Sequence, residues 1–164
     1  MADLAHPNPD EILPLEILRK FRIIIRAAQK YSHWVEKQCG VSGAQLWIMH
    51  ELFEEPGIRV GDLAKKLGIH QTTTSNLLDG LKKSGYVNKL RSANDQRVVT
   101  LTLTEKGQSM LSHAPKPSRG LLPEALQQLA PEQLVQLGMG LDSLLESLHL
   151  LDEDAGMQPL PFTM

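Results

Sequence analysis

The type of hydrophobic periodicity changes in the middle of the chain. Between residues 60 and 84, apolar residues recur at helical spacing in two short segments separated at Gly68. Between residues 86 and 103, two β-rich segments lie on either side of a polar, charged loop. This change of period predicts two short helices, a tight turn between them and a β-hairpin after them. That order of elements is typical of a winged helix-turn-helix domain, in which the hairpin is the wing.

Longer helical patterns lie on both sides of this centre, so the predicted fold is mainly α with a small β-hairpin wing. The first and last helices each carry an apolar stripe, and the last one is a leucine seam with steps of three and four residues. A second copy of the chain would bury both stripes, which predicts dimerisation helices at both ends. Packing of the two stripes within one chain is the alternative.

The predicted organisation divides the 164 residues into five parts. In chain order they are a disordered segment at 1–14, a dimerisation helix at 15–40, a winged helix-turn-helix DNA-binding domain at 41–107, C-terminal helices completing the dimerisation region at 108–151, and a flexible tail at 152–164. Prolines at 115 and 117 must break or kink the helix that follows the wing.

The charge is unevenly distributed along the chain. Between residues 58 and 107 there are nine Lys and Arg against four Asp and Glu, although the whole chain has a net charge of −2. A basic segment inside an acidic chain is typical of a nucleic-acid footprint, and a solvated cationic surface is the alternative. Aromatic residues are only 4% of the chain, which disfavours a base-stacking platform for single strands.

Several classes of protein are disfavoured by composition and motifs. A single cysteine, Cys39, fits a reducing cytoplasm, and no apolar stretch is long enough to cross a membrane. The sequence has no metal-ligand cluster, no phosphate-binding glycine loop and no catalytic triad pattern. We therefore expect a cytoplasmic protein that is not an enzyme and needs no cofactor or metal.

The second short helix, at about 70–84, is the predicted recognition helix. An α-helix fits the DNA major groove, where small polar side chains and amides can reach base edges. The outer face of this helix carries such side chains: His70, Gln71, Thr72, Thr73, Ser75 and Asn76. A polar helix face that meets only water is the alternative. On the wing, at 88–100, Arg91 and Arg97 are candidates for insertion into the minor groove.

Three sequence motifs carry a family resemblance. Residues 61–69 (GDLAKKLGI), residues 77–87 (LLDGLKKSGYV) and the wing pattern D-x-R-x-x-x-L-x-L-T-x-x-G from Asp95 to Gly107 resemble the MarR (multiple antibiotic resistance regulator) family. The resemblance implies a homodimeric regulator, often a repressor inactivated by small molecules or oxidants, that reads a pseudo-palindromic site in double-stranded DNA. It also implies that Asp95 positions Arg97, which meets the DNA backbone or minor groove, and Asn94 lies on the same loop.

Two features depart from the family pattern. Asn76 stands where the family often has arginine, and Pro115, Pro117, Gly120 and Pro123 interrupt a helix that is usually continuous. In the family that helix lines the ligand cavity and joins the DNA-binding part to the dimer base. The break either reshapes the cavity or simply redirects the chain.

The resemblance implies an effector cavity between the first two helices, the helix after the wing and the dimer base. Aromatic and polar residues suited to an aromatic or carboxylate ligand lie there, although core packing would also explain them: Tyr31, His33, Trp34, Gln38, Trp47 and His50. Two further alternatives are a redox-sensing regulator acting through Cys39 and a winged-helix module that binds another protein. Cys39 lies at a helix C-terminus, where the helix dipole disfavours a thiolate.

Overall fold

A computed structural model describes residues 14–91, 95, 98–149 and 152–164. The elements follow the predicted order along the chain. They are α1 (Pro14–Cys39), α2 (Gly43–Glu54), α3 (Val60–Leu67), α4 (Gln71–Lys83), β1 (Val87–Arg91), β2 (Val99–Leu103), α5 (Glu105–His113), α6 (Leu121–Gln127), α7 (Pro131–Leu148), α8 (Glu153–Gly156) and a 3₁₀ turn (Pro161–Thr163). No helix among these residues is long and apolar enough to span a membrane.

The winged centre is built on one hydrophobic core. Leu63 of α3 and Leu78 and Leu81 of α4 are fully buried against Leu46, Ile48, Met49 and Leu52 of α2. Strands β1 and β2 pair antiparallel, with Val87 opposite Leu103 and Arg91 opposite Val99. Arg59 adds an isolated bridge to Thr100, which attaches the start of α3 to the hairpin. The predicted winged helix-turn-helix fold is therefore confirmed.

Local sequence signals set the ends of these helices. Ser42 and Gln45 form the predicted capping box at the start of α2, with reciprocal hydrogen bonds of 3.2 and 3.0 Å. Gly68 ends α3 in the left-handed region at φ 65°, where a glycine has no side chain to strain. Thr104 caps α5 by accepting a hydrogen bond from the backbone amide of Gly107.

The helix after the wing ends where the prolines predict that it must. Helix α5 ends at His113, and the chain then runs through Pro115 and Pro117 before α6 begins. The hydroxyl group of Tyr31 on α1 donates a 2.8 Å hydrogen bond to the carbonyl oxygen of Pro117. The interruption thus brings the proline-rich segment back onto α1.

Apolar faces of α1 and α7 remain uncovered within one chain. The seam residues Leu134, Leu137, Leu141, Leu144 and Leu148 are each between 38% and 53% exposed. On α1, Ile17, Leu18, Ile24 and Ile25 are similarly exposed, whereas Ala28 and Val35 are buried. Among the described residues, α7 makes no extensive contact with another helix or strand. The apolar stripes of α1 and α7 therefore do not pack on each other within one chain.

The C-terminal segment differs from the predicted flexible tail. Residues 153–156 form the short helix α8, capped by the side chain of Asp152, and residues 161–163 form a 3₁₀ turn against α1. The tail is ordered because it bonds to residues distant in sequence, a tertiary effect that its proline-containing composition does not reveal. At the other end, Pro14 already begins α1, and residues 1–13 of the predicted disordered segment lie outside the described residues.

Candidate nucleic-acid interface

A charged cleft lies between the recognition helix α4 and the hairpin. It has a volume of about 840 Å³, and its walls come from α3, one face of α4, strand β1 and the start of β2. The leucines on the inner face of α4 hold the helix on the core, which leaves its polar face directed outwards. The cleft is thus open on the side where the helix and the wing project.

The cleft walls are strongly cationic. Asp62 is the one acidic residue among the lining residues, and it faces five cations: Arg59, Lys65, Lys82, Lys89 and Arg91. Four of these five were not among the predicted site residues. The excess of positive charge between residues 58 and 107 could have identified them, but only the fold shows which of the cations converge.

The structure separates the predicted base-reading residues into three groups. His70, Gln71 and Ser75 line the cleft. Thr72 and Asn76 are exposed on α4 outside the cleft wall, and Thr73 is half-buried. Thr74, which was not predicted to face DNA, is fully buried and donates to the carbonyl oxygen of His70. The helical period of the sequence therefore separates the exposed positions of α4 from the buried ones.

The wing is described only in part. Arg91 is exposed at the end of β1 and lines the cleft, and Asp95 is exposed at the tip. Asn94 and Arg97, the other two predicted wing residues, lie outside the described residues. The Nζ atom of Lys89 on β1 lies 2.6 Å from a carboxylate oxygen of Asp79 on α4. This ion pair fastens the base of the wing to the recognition helix.

A second, more apolar cavity lies beside the turn between α3 and α4. It has a volume of about 280 Å³ and is formed by α1, α2, this turn, the segment at the start of α6 and the C-terminal tail. Tyr31 and Trp47 line it, as the predicted effector site requires. Arg119, which the sequence did not single out, brings a cationic side chain to its wall.

The other four predicted effector residues lie elsewhere. His50 lines a separate open cleft beside Lys116 and Arg119. His33, Trp34 and Gln38 are exposed on α1, outside the cavity lining, and the Trp34 ring stacks edge-on against Tyr31. The prediction included residues from more than one side of α1, whereas a helix presents only one side to the cavity.

A buried carboxylate connects the cavity wall to the winged centre. Glu51 of α2 is 4% exposed, and one of its oxygens accepts hydrogen bonds from Arg119 Nε at 2.7 Å and Trp47 Nε1 at 2.9 Å. Its other oxygen lies 3.7 Å from Lys66 Nζ on α3. Burial alone raises the pKa of Glu51, but the hydrogen bonds from Arg119 and Trp47 together with the Arg119 charge outweigh it and lower that pKa below its ordinary value.

The alternatives based on thiol or metal chemistry gain no support. Burial raises the pKa of the Cys39 thiol, which opposes formation of a reactive thiolate. Burial, together with the nearby charge of Arg119, lowers the pKa of His50. No group of three or more potential metal ligands occurs among the described residues.

Comparisons with known proteins identify the family. The MarR family model matches residues 41–99, which span the capping box, both short helices and the first strand of the hairpin. A curated relative, the HTH-type transcriptional regulator YfiV of Bacillus subtilis, is 30% identical over 118 residues, or 72% of each chain. The chain belongs to the MarR family. The resemblance read from the motifs is thereby confirmed, and so is the expectation that the chain is a transcriptional regulator rather than an enzyme.

Two further similarities support this assignment. The transcriptional repressor MprA of Escherichia coli is 30% identical over 107 residues, which cover 65% of this chain and 61% of MprA. The solved structure of the S. aureus MepR–DNA complex superimposes with a TM-score of 0.55 at 22% identity, covering 79% of this chain and 96% of that one. The second similarity concerns the fold alone.

The Glu51 cluster predicts a pH-dependent contribution to stability. Because the pKa of Glu51 is lower in the folded chain than in the unfolded one, its stabilising effect is complete at neutral pH. That effect is lost as pH falls below the ordinary value of 4.5 towards the lower folded value. We expect Glu51→Gln to reduce the free energy of unfolding by about 2–3 kcal/mol at pH 7 and by much less near pH 3.

Urea denaturation at the two pH values measures this difference. Glu54→Gln is the matched control, because Glu54 is an exposed carboxylate on the same helix. Equal destabilisation by Glu51→Gln at both pH values, or a loss no larger than that of the control, would contradict the role assigned to the buried carboxylate.

Proposed function

We propose that this MarR-family chain binds double-stranded DNA as a homodimer and acts as a transcriptional repressor. The observation that carries the proposal is the cationic cleft between α4 and the hairpin. Helix α4 enters the major groove, and the wing arginines contact the adjacent backbone or minor groove. As a regulator of transcription, the protein acts in the cytoplasm.

The arrangement of charge supports binding to duplex DNA. Cations on α3, α4 and β1 converge on one open surface, so several phosphates can be neutralised at once, although the whole chain is slightly acidic. Beside them, Gln71 presents an amide that can pair with adenine edges, and Ser75 presents a hydroxyl group. MprA is named a transcriptional repressor, and MepR has been solved bound to DNA.

Removal of cleft cations tests this interface. We expect Arg59→Ala and Lys82→Ala each to weaken binding to every duplex sequence, because both side chains contact phosphates rather than bases. Each variant should reduce the slope of log affinity against log salt concentration by about one for each lost contact. Fluorescence anisotropy with a random-sequence duplex of about 30 bp at several salt concentrations measures both quantities.

Lys30→Ala is the matched control for these variants. It removes the same charge from an exposed position on α1, away from the cleft. If all three variants bind with an unchanged salt slope, the cleft is not the DNA site. If the wild-type chain binds no duplex even at low salt, the alternative of a winged-helix module that binds another protein replaces the proposed function.

The uncovered apolar seams support the homodimer. Burying Leu137, Leu141 and Leu144 of α7 against a second copy would remove apolar surface that a single chain leaves in water. The exposed isoleucines on the first half of α1 form a second surface of the same kind. A two-fold dimer would place two recognition helices roughly 34 Å apart, which corresponds to a pseudo-palindromic operator.

Leu141→Glu tests the seam. A buried glutamate without a partner should raise the dissociation constant of the dimer by at least about a hundredfold. Met139→Glu is the matched control, because Met139 is 66% exposed and does not belong to the leucine seam of α7. Light scattering after gel filtration gives the molar mass of each variant, and a dimeric Leu141→Glu protein would contradict the proposed interface.

The apolar cavity formed by α1, α2 and the C-terminal tail is the proposed binding site for a small-molecule effector. Its lining suits an aromatic carboxylate. The rings of Tyr31 and Trp47 offer apolar contact, and the Arg119 guanidinium offers a charge at the same wall. The proline-rich interruption after α5 contributes to this site, since it places Ser118, Arg119 and Gly120 at the cavity. It therefore shapes the cavity as well as redirecting the chain.

Benzoate is a suitable probe of this site. In a Trp34→Phe background, Trp47 is the sole tryptophan, and we expect benzoate to change its fluorescence in a saturable manner. Ala28→Leu should abolish the response, because Ala28 is buried at the cavity wall and a larger side chain fills the space. His33→Leu, on the same helix but outside the cavity, is the control. A response that survives Ala28→Leu unchanged would place the ligand elsewhere.

A further inference from the structure

The C-terminal tail follows a path that joins the two sites. Between Asp154 and Gln158 it contacts the start of the recognition helix, and between Gly156 and Thr163 it contributes to the wall of the apolar cavity. The segment 152–164 thus contacts both the predicted DNA-reading surface and the predicted effector site. Neither the family motifs nor the winged helix-turn-helix fold requires this connection.

The contacts at the recognition helix are specific. A carboxylate oxygen of Asp154 lies 2.7 Å from His70 Nε2, and the amide oxygen of Gln158 accepts a 3.0 Å hydrogen bond from the hydroxyl group of Thr73. The backbone amide of His70 donates a 2.9 Å hydrogen bond to the carbonyl oxygen of Met157. Met157 also lines the cationic cleft. The tail therefore lies on the N-terminal end of α4.

The opposite end of the tail is anchored at the cavity. Leu160, Phe162 and Thr163 contribute to the cavity wall, and the 3₁₀ turn packs against α1. Phe162 is half-buried, whereas the residues on either side of α8 are exposed. The apolar contact of Phe162 thus follows the polar contacts at α4 by only a few residues, and Gln158 takes part on both sides.

The charges of the tail and the cleft are opposite. Residues 152–154 are three consecutive acids, and no Lys or Arg follows them. Asp154 contacts His70, which lines the cleft with its five cations and one acid. The Asp154 carboxylate therefore lies at the surface that the proposed function assigns to polyanionic DNA.

From this arrangement we propose that residues 152–164 form an autoinhibitory cover on the recognition helix. The inference rests on the proposed function, since the cover competes with DNA for His70 and Thr73. DNA binds when the tail leaves α4. Because the half-buried Phe162 anchors the same tail in the cavity wall, a ligand that enlarges or fills this cavity changes how firmly the cover is held.

The contacts between the tail and α4 are weak enough to form and break reversibly. The Asp154 side chain is 79% exposed, and an exposed side-chain contact of this kind contributes little, since water competes for both partners. The cover is therefore expected to open reversibly, with the closed form still in the majority. The measured association constant for DNA is then that of the open form multiplied by the fraction of molecules that are open.

Removing the polar contacts tests the cover in the full-length chain. We expect the double variant Asp154→Ala/Gln158→Ala to bind a random-sequence duplex of about 30 bp about three- to tenfold more tightly than the wild type, because the open fraction rises towards one. Glu153→Ala is the matched control: it removes the same charge from a neighbouring side chain that makes neither of the two side-chain contacts with α4. It should leave the affinity close to that of the wild type.

A second pair of variants tests the anchor. Phe162→Ala should also tighten DNA binding, although Phe162 lies away from α4 and carries no charge. Met164→Ala is its control, because Met164 is 59% exposed at the end of the tail. Thermal unfolding monitored by circular dichroism checks that all four proteins are folded.

Hydrogen exchange gives a readout that does not depend on DNA. The His70 backbone amide donates to Met157, so its exchange should accelerate in both the double variant and Phe162→Ala, while both controls match the wild type. Unchanged exchange and unchanged affinity would overturn the cover and leave the DNA-binding proposal standing. Accelerated exchange in a chain that binds no duplex would show that the tail contact exists but does not compete with DNA, which overturns both proposals.

Discussion

The buried carboxylate of Glu51 is the contact on which the surrounding structure depends. A charge removed from water is costly unless hydrogen bonds and an opposite charge compensate for it, and Arg119 and Trp47 supply them. Arg119 belongs to the proline-rich segment after α5, while Lys66 approaches the second oxygen from α3. One side chain of α2 therefore contacts both the start of the helix-turn-helix and the segment that leads to α6.

The cationic cleft arises from the way these parts pack. Leu63, Leu78 and Leu81 hold α3 and α4 on α2, and the Lys89–Asp79 ion pair fastens the hairpin to α4. Cations that are far apart in sequence then share one open surface. The proposed affinity for DNA comes from this convergence, because phosphate neutralisation depends on local charge and not on the net charge of −2.

The C-terminal tail gives this chain a link between its two sites. Its polar half lies on His70 and Thr73, and its apolar half lies in the cavity wall. In the proposed mechanism, the cavity and the DNA surface communicate through a segment whose contacts at α4 are weak and polar. DNA can replace the tail at these contacts without disturbing the hydrophobic core below them.

The sequence by itself determined the elements of the winged centre and the family. Gly68, the capping box at Ser42 and the alternation in β2 are signals that act over a few residues, so the chain order and the outer face of α4 could be read directly. The tertiary structure decided which cations line the cleft, which of six candidate residues reach the cavity, and where the tail lies. Those outcomes depend on contacts between residues such as His70 and Asp154, 84 positions apart. No local pattern records such contacts, because their free energy comes from packing that exists only after the chain has folded.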